Sequence, residues 1–574
     1  MTRKKIMVYS PELKVSDVAY NTEQIIKAYD MASSEGMDIL ILPELCITSM
    51  SCGDLFLNSR LLDCAVDSLY MIAASTEGKK TMLVVSLPLH VSGKVYEASA
   101  LLGDGEVLAL IPRAHFSSRN SNKLRWFSPW DSSNDVVILD NGKEVYCCSE
   151  IDINNMTYSI CFDENELDPE VQNKDVVVLY TSSAEYIGRS KTIRDLVTDA
   201  SKKNKNVVVS VTPDRTESTG KGVCSGYSCI AYKGKVYSES GLFSGEPIFT
   251  DLKEEITDFN DIDDCELAVL IQAHSLAQRL KKIWVSKLVL GISGGLDSTQ
   301  ALLAGIKALD ILGYPRKNMI AVTMPCFGTT SRTKSNAQHM SELCGTDFRE
   351  ISIRESVIQH LKDIGHDGKT ADVTFENAQA RERTQVLMDL ANMENAIVLG
   401  TGDMSEAALG WCTYNGDHMS MYNVNCNMTK TFLRKVVRYE AEHCENKELA
   451  KVLIDVIDTP VSPELKPSEK DNISQKTEDI LGPYEVLDYY LERFVKDHQS
   501  PVDIFELSKQ EFYGKYDEEE LRKWLNQFIK RFFNNQFKRN CVPDGPRVVD
   551  FDLSPSEGWI MASDTSYATF YDLI

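Results

Sequence analysis

Short apolar runs alternate with stretches of helical spacing through the first 250 residues. Runs at 39–42, 82–87, 107–111, 158–161, 176–179 and 207–211 are mostly Val, Ile and Leu, which predicts buried strands. Residues 22–35 and 191–203 carry apolar side chains at helical intervals and predict amphipathic helices. The stretch 251–266 is acidic, lacks a strong period and reads as linker. Residues 274–284 then predict a helix, and apolar runs at 287–290, 320–324 and 396–399 predict strands with helices between them. Such alternation builds a parallel sheet whose ligands sit at the carboxyl ends of the strands. Beyond residue 481 the pattern is mostly helical, and it ends in a loop-rich tail over 540–574. The expected organisation is an α/β chain in two parts, 1–250 and 274–574, joined by a linker over 251–273.

Composition narrows the class. The 574 residues are 43% hydrophobic and 25% charged, which suits a globular protein with large cores. A net charge of −24 repels nucleic acid phosphates and anionic membranes, so neither partner is expected. No uninterrupted apolar run reaches about 20 residues, so no membrane-spanning helix is expected. The first ten residues are basic but lead into no apolar signal core. Fifteen cysteines are scattered without a Cys-x-x-Cys pair, which suits free thiols in a reducing compartment and a cytoplasmic protein.

The densest chemistry lies at Gly291-Ile292-Ser293-Gly294-Gly295-Leu296-Asp297-Ser298-Thr299, between the strand at 287–290 and a helix expected at 301–312. A glycine loop opening a helix turns backbone N–H groups and the positive end of a helix dipole toward an anion. Ser293, Ser298 and Thr299 add hydroxyl donors. Asp297 puts a carboxylate where a phosphate would sit, which makes sense with Mg²⁺ between them. The Gly-Lys-Ser/Thr ending of a Walker A loop is missing. The segment resembles the pyrophosphate loop of the N-type ATP pyrophosphatases. Those enzymes adenylylate an oxygen with ATP, release pyrophosphate, and let a nucleophile displace AMP.

Further stretches extend the resemblance. Asp372 to Asn377 precedes Gln379-Ala380-Arg381, and Gly400-Thr401-Gly402-Asp403-Met404-Ser405-Glu406 follows. Then come Trp411-Cys412-Thr413-Tyr414, Tyr422-Asn423-Val424-Asn425 and Gln536-Phe537-Lys538-Arg539. With the loop, these resemble the two-domain, glutamine-dependent NAD⁺ synthetases. The resemblance implies a Rossmann-like pyrophosphatase domain that activates the carboxylate of deamido-NAD with ATP and amidates it with ammonia. It implies ATP contacts at 291–298 and Thr401, and deamido-NAD contacts at Asn377, Glu406, Trp411, Cys412, Thr413, Tyr414 and Lys538. It also implies Mg²⁺ on Asp297 and Glu406, and a homo-oligomer. A tRNA-thiolating pyrophosphatase is the rival enzyme reading, disfavoured by the acidic charge and the lack of a cysteine pair. A binding scaffold is the rival non-enzyme reading, disfavoured by the intact loop.

In the first part, Glu44 follows one strand in Leu42-Pro43-Glu44-Leu45, and Cys161 ends another in Ser159-Ile160-Cys161-Phe162-Asp163. These resemble the family's nitrilase-type glutaminase, an αββα sandwich with a Glu-Lys-Cys triad. Glu is the general base, Cys attacks the glutamine amide and Lys stabilises the oxyanion. The resemblance places glutamine on Ser183 and Arg189. Arg113 stands at the lysine position, in Pro112-Arg113, and Arg119 at the position of a glutamine-binding tyrosine. Guanidinium is planar and larger than ammonium, so the exchange is not conservative. These departures predict loss of glutaminase activity, with ammonia as the nitrogen source.

Overall fold

The computed structural model describes residues 5–131, 136–139, 142–153, 156–167, 174–218, 220–259, 261–327, 331–459, 477–556 and 558–572. The chain forms two compact units, Met1–Thr219 with Val223–Asp261, and Gly220–Gly222 with Ile262–Ile574.

Two six-stranded sheets make the first unit. One runs Ile248–Thr250, Ile6–Val8, Ile39–Ile41, Met82–Val91, Lys94–Gly103, Glu106–Pro112. The other runs Lys235–Glu239, Cys229–Tyr232, Val207–Val211, Val176–Tyr180, Met156–Cys161, Ile151–Ile153. Side chains alternate across each strand, so unbroken apolar runs must be covered on both faces. Val176, Val178 and Tyr180 join Ile39, Ile41 and Val84 in the core between the sheets. Val177 and Leu179 face outward onto Ile193 and Val197 of the helix Arg189–Asn204. Leu40, Leu83 and Val85 face the helices Val18–Ser34 and Ser59–Ala74. The result is an αββα sandwich, as the sequence implied.

A five-stranded sheet organises the second unit, in the order Asp347–Glu350, Met319–Thr323, Lys287–Gly291, Ala396–Gly400, Tyr422–Asn423, all parallel. The chain runs outward from Lys287–Gly291 to one edge, then returns to its other side at Ala396–Gly400. The loop after Gly291 therefore leaves at the point where the strand order reverses, the usual ligand position in such sheets. The helices Tyr484–Val495, Pro501–Glu511 and Glu518–Asn534 form a separate aromatic-rich core.

Part of the stretch expected to be linker is helix. Asp264–Ile283 forms one continuous helix. Asp263 caps it by accepting from Cys265 N–H at 2.8 Å, and Asp264 and Glu266 lie in its first turn. Acidic residues are favoured there by the helix dipole, so their charge marked a helix start. All fifteen cysteines are free. Among the described residues no helix is long and apolar enough to cross a membrane.

Candidate active sites

In the second unit, Gly291 ends its strand and Gly295 caps the helix Leu296–Ile311. That helix begins before the expected 301 because Leu296 to Thr299 already belong to it. Gly294 has φ of +81°, a conformation that side chains rarely adopt. Ile292 N–H donates to the Val322 carbonyl at 2.9 Å, which holds the loop against the sheet. Ser293 Oγ accepts from Gly295 N–H at 3.2 Å, and Ser298 Oγ donates to the Gly295 carbonyl at 3.1 Å. The loop is thus braced from within, with a helix N-terminus at the carboxyl edge of the sheet.

Asp297 meets residues that follow the neighbouring strand. Asp403 caps the helix Met404–Leu409 by accepting from Glu406 N–H at 2.8 Å. Lys430 Nζ lies 2.8 Å from both Asp297 oxygens, 2.9 Å from Asp403 and 3.0 Å from Glu406. Asn425 Nδ2 donates to the carbonyls of Asp297 and Thr401, at 2.9 and 3.0 Å, tying the loop to the neighbouring strand end. Burial raises Asp403 and Glu406 above the usual carboxylate range, and Lys430 offsets this only in part. Burial alone would lower Lys430, but Asp297, Asp403 and Glu406 outweigh it and keep the ammonium charged.

Carboxylate oxygens from Asp297, Asp403 and Glu406 lie within 4.8 Å of one another. Three hard oxygen donors share one ammonium, which leaves excess negative charge. That donor set fits Mg²⁺. Of these four residues, the sequence singled out Asp297 and Glu406 and missed Asp403 and Lys430. A signal for Lys430 existed. Thr429 caps the helix Lys430–His443, and a lysine in a first turn opposes the helix dipole, so something else must hold it.

A cavity beside this cluster is lined by Thr401, Asp403, Glu406, Cys412, Asn423 and Lys538, among others. Lys538 Nζ donates to the carbonyls of Gly410 and Cys412, both at 2.8 Å. Thr413 Oγ1 donates to Asn377 Oδ1 at 2.8 Å. Tyr414 stacks on His418, with ring centroids 5.2 Å apart. Trp411 packs against the helical core, and the Arg531 guanidinium sits 5.2 Å from its ring centroid. One face of the indole expected to contact deamido-NAD is therefore covered by protein.

In the first unit Glu44 and Arg113 are buried, and a lysine from a later segment of the chain reaches Glu44. Lys123, on the short helix Ser118–Arg125, places Nζ 2.8 Å from Glu44 Oε1 and 3.1 Å from Glu97 Oε1. Arg113 bonds Glu97 at 2.9 Å, Asp163 at 2.7 Å, Glu166 at 2.7 and 2.9 Å, and the His115 carbonyl at 2.8 Å. These contacts make Arg113 an organising hub of the buried charges. Lys123 therefore stands at Glu44 as a cation that the reading of a lost glutaminase, built on Arg113 and Arg119, did not count. Cys161 is buried, with Sγ 3.7 Å from the Glu166 carbonyl. Ser183 Oγ is buried with no hydrogen-bond partner among the described residues. Arg189 pairs with Glu164, one contact being 2.9 Å. The Arg119 side chain lies outside the described residues.

Comparison with known proteins matches both units. Residues 269–541 fit the NAD synthase family model, and residues 6–227 the carbon-nitrogen hydrolase model. The glutamine-dependent NAD(+) synthetase of Mycobacterium leprae is 29% identical over 98% of this chain and 96% of its own. The crystal structure of a glutamine-dependent NAD(+) synthetase from Cytophaga hutchinsonii superposes with a TM-score of 0.84. It covers 99% of this chain and 98% of its own, at 20% identity. That from Acinetobacter baumannii, in complex with ADP, gives 0.69 at 19% identity, over 97% and 98%. With a carbon-nitrogen hydrolase part followed by an NAD synthase part along nearly its whole length, the chain belongs to the glutamine-dependent NAD⁺ synthetase family.

Proposed function

We propose that this protein is a carbon–nitrogen ligase that makes NAD⁺ from deamido-NAD, ATP and glutamine. The observation that carries this is the meeting of the glycine loop's Asp297 with Asp403, Glu406 and Lys430, beside a cavity that Thr401 and Lys538 also line.

The nicotinate carboxylate is a poor electrophile. It attacks the α-phosphorus of ATP, pyrophosphate leaves, and ammonia then displaces AMP from the acyl-adenylate. Two anions must meet in the first step, so donors placed in advance supply much of the stabilisation. The N-terminus of the helix Leu296–Ile311, the Gly294 N–H and the Ser293 hydroxyl face the phosphates in this reading. Lys430 places a fixed positive charge beside them. Asp297, Asp403 and Glu406 would hold Mg²⁺, which neutralises phosphate charge. Lys538 and Tyr414 flank the deamido-NAD side. A cytoplasmic location and a homo-oligomeric assembly belong to the same reading.

Ammonium chloride and glutamine should each support NAD⁺ formation by the purified protein, with one AMP per NAD⁺. No NAD⁺ from either source refutes the reading. Cys161→Ala is expected to cut the glutamine-dependent rate about a thousandfold or more while leaving the ammonia-dependent rate within about twofold. Loss of both rates together would place Cys161 outside a separate amide-hydrolysing site.

Lys538→Ala is expected to raise the KM for deamido-NAD about tenfold, with a smaller change for ATP. The variant loses charge-assisted bonds of about 1.5–3 kcal/mol that pin the turn at Gly410 to Cys412. Steady-state kinetics with each substrate varied in turn would check this, and equal shifts would remove Lys538 from the dinucleotide site.

A further inference from the structure

Glu44 and Glu97 are both buried. Buried carboxylates need a cation beside them. Arg113 reaches Glu97 at 2.9 Å but lies 3.8 Å from Glu44, and others of its N–H groups are turned to Asp163, Glu166 and the His115 carbonyl. Four of its five N–H groups are thus engaged by Glu97, Asp163, Glu166 and the His115 carbonyl, and the fifth, on the same nitrogen that bonds Glu97, lies on the Glu44 side. Lys123 is the cation at Glu44.

We propose that Lys123 is the catalytic ammonium of the amide-hydrolysing site, performing the oxyanion role of the lysine whose place in the sequence Arg113 occupies. This deepens the glutamine-dependent reading above and rests on it.

Lys123 is held from both sides. Its carbonyl accepts from Trp126 N–H and Phe127 N–H, each at 2.9 Å. Phe127 is buried against Leu45 and Phe56, and Leu45 adjoins Glu44. Ser128 N–H donates to the Val95 carbonyl at 2.8 Å, two residues from Glu97 on the same strand. Arg125 and Trp126 both bond Asp54. The segment carrying Lys123 is therefore anchored beside each carboxylate it serves. An ammonium has three N–H groups. Among the described residues they serve only Glu44 and Glu97, the second Glu97 oxygen lying at a long 3.5 Å, so one N–H can turn to a substrate oxygen.

The same net reaches the nucleophile. Phe162 N–H, next to Cys161, donates to Glu166 Oε2 at 2.7 Å, and Glu166 Oε1 accepts from Arg113, which bonds Glu97. Glu44 Oε2 is buried and accepts no hydrogen bond among the described residues, which leaves an oxygen for a proton. Burial and the Glu97 charge raise Glu44, which suits a base that carries a proton between steps. Burial alone would lower Lys123, but Glu44 and Glu97 outweigh it, so the group stays an ammonium.

The chemistry balances with these groups. Cys161 Sγ attacks the amide carbon and its proton passes to Glu44. The amide oxygen becomes an oxyanion beside Lys123. The carbon–nitrogen bond breaks, ammonia leaves with the proton from Glu44, and a thioester remains. Water then adds, its proton passing to Glu44, and glutamate leaves as the Cys161 thiol is restored. Lys123 stays protonated throughout.

The test uses full-length protein with deamido-NAD, ATP and Mg²⁺, and measures glutamate release from glutamine and NAD⁺ formation from ammonium chloride. Lys123→Met is expected to lower glutamate release about 10²–10³-fold and leave the ammonia rate within about twofold. Lys123→Arg keeps a cation between the two carboxylates, so it guards against a folding artefact. Guanidinium does not place a donor where ammonium does, and the same loss is expected. Either variant retaining glutamate release within about threefold overturns the proposal. Wild-type protein that makes NAD⁺ from ammonia but releases no glutamate also overturns it, and leaves the synthetase reading standing. Glutamate release without NAD⁺ from either source refutes the synthetase reading instead, and the Lys123 variants still decide the proposal.

Discussion

Lys430→Met is expected to abolish NAD⁺ formation from either nitrogen source and to destabilise the second unit by about 3–5 kcal/mol. Lys430 is buried and touches Asp297, Asp403 and Glu406 at 2.8–3.0 Å. Removing it leaves carboxylates buried without a partner, the costly way to break an ion pair. The loss should depend on pH, with a definite sign. Asp403 and Glu406 already sit above the ordinary range through burial, and without Lys430 they rise further. Groups with raised folded-state values favour the fold at low pH and oppose it as pH climbs through those values. The deficit of the variant against wild type should therefore grow from pH 5 to pH 8, in urea unfolding with a chelator present. Mg²⁺ should recover part of it by returning positive charge. A deficit under about 1 kcal/mol at pH 8 would show that Lys430 is not what compensates this cluster.

Asp297→Asn is expected to lower NAD⁺ formation about a thousandfold or more, again from both nitrogen sources. The substitution keeps the side-chain shape but removes the charge that the loop helix contributes to the cluster. Stability should respond differently. Asp403 and Glu406 still accept from Lys430 in this variant, so the unfolding midpoint should fall much less than in Lys430→Met. The pair of variants separates two roles, Lys430 as compensating and catalytic charge, Asp297 as catalytic charge alone. Near wild-type turnover of Asp297→Asn at saturating Mg²⁺ would remove Asp297 from the phosphate site.

Much of the architecture was legible because its causes are local. Runs such as 176–179 and 207–211 name their strands, since an unbroken apolar run suits a strand covered on both faces. Strands such as Lys94–Gly103 and Lys235–Glu239 were less legible, because Glu97 and Ser99, or Ser238 and Glu239, interrupt the period. The helix Asp264–Ile283 was half hidden because its acidic first turn looked like linker.

The sequence by itself determined the glycine loop between strand and helix, because strand, glycines, hydroxyls and Asp297 are consecutive and their geometry follows from a few backbone angles. It also placed Cys161 at the end of a strand and Glu44 just after one. Only the tertiary structure decided which cation answers which carboxylate. Lys430 lies 133 residues from Asp297, and Lys123 lies 79 from Glu44. In sequence, Lys123 is one basic residue in a polar loop. It gains a role because Phe127 and Asp54 fix its segment beside Glu44 and Glu97. Charge pairing acts through space, and a long flexible lysine can satisfy a carboxylate from more than one backbone position. An aligned motif therefore names where the cation is needed but not which residue brings it.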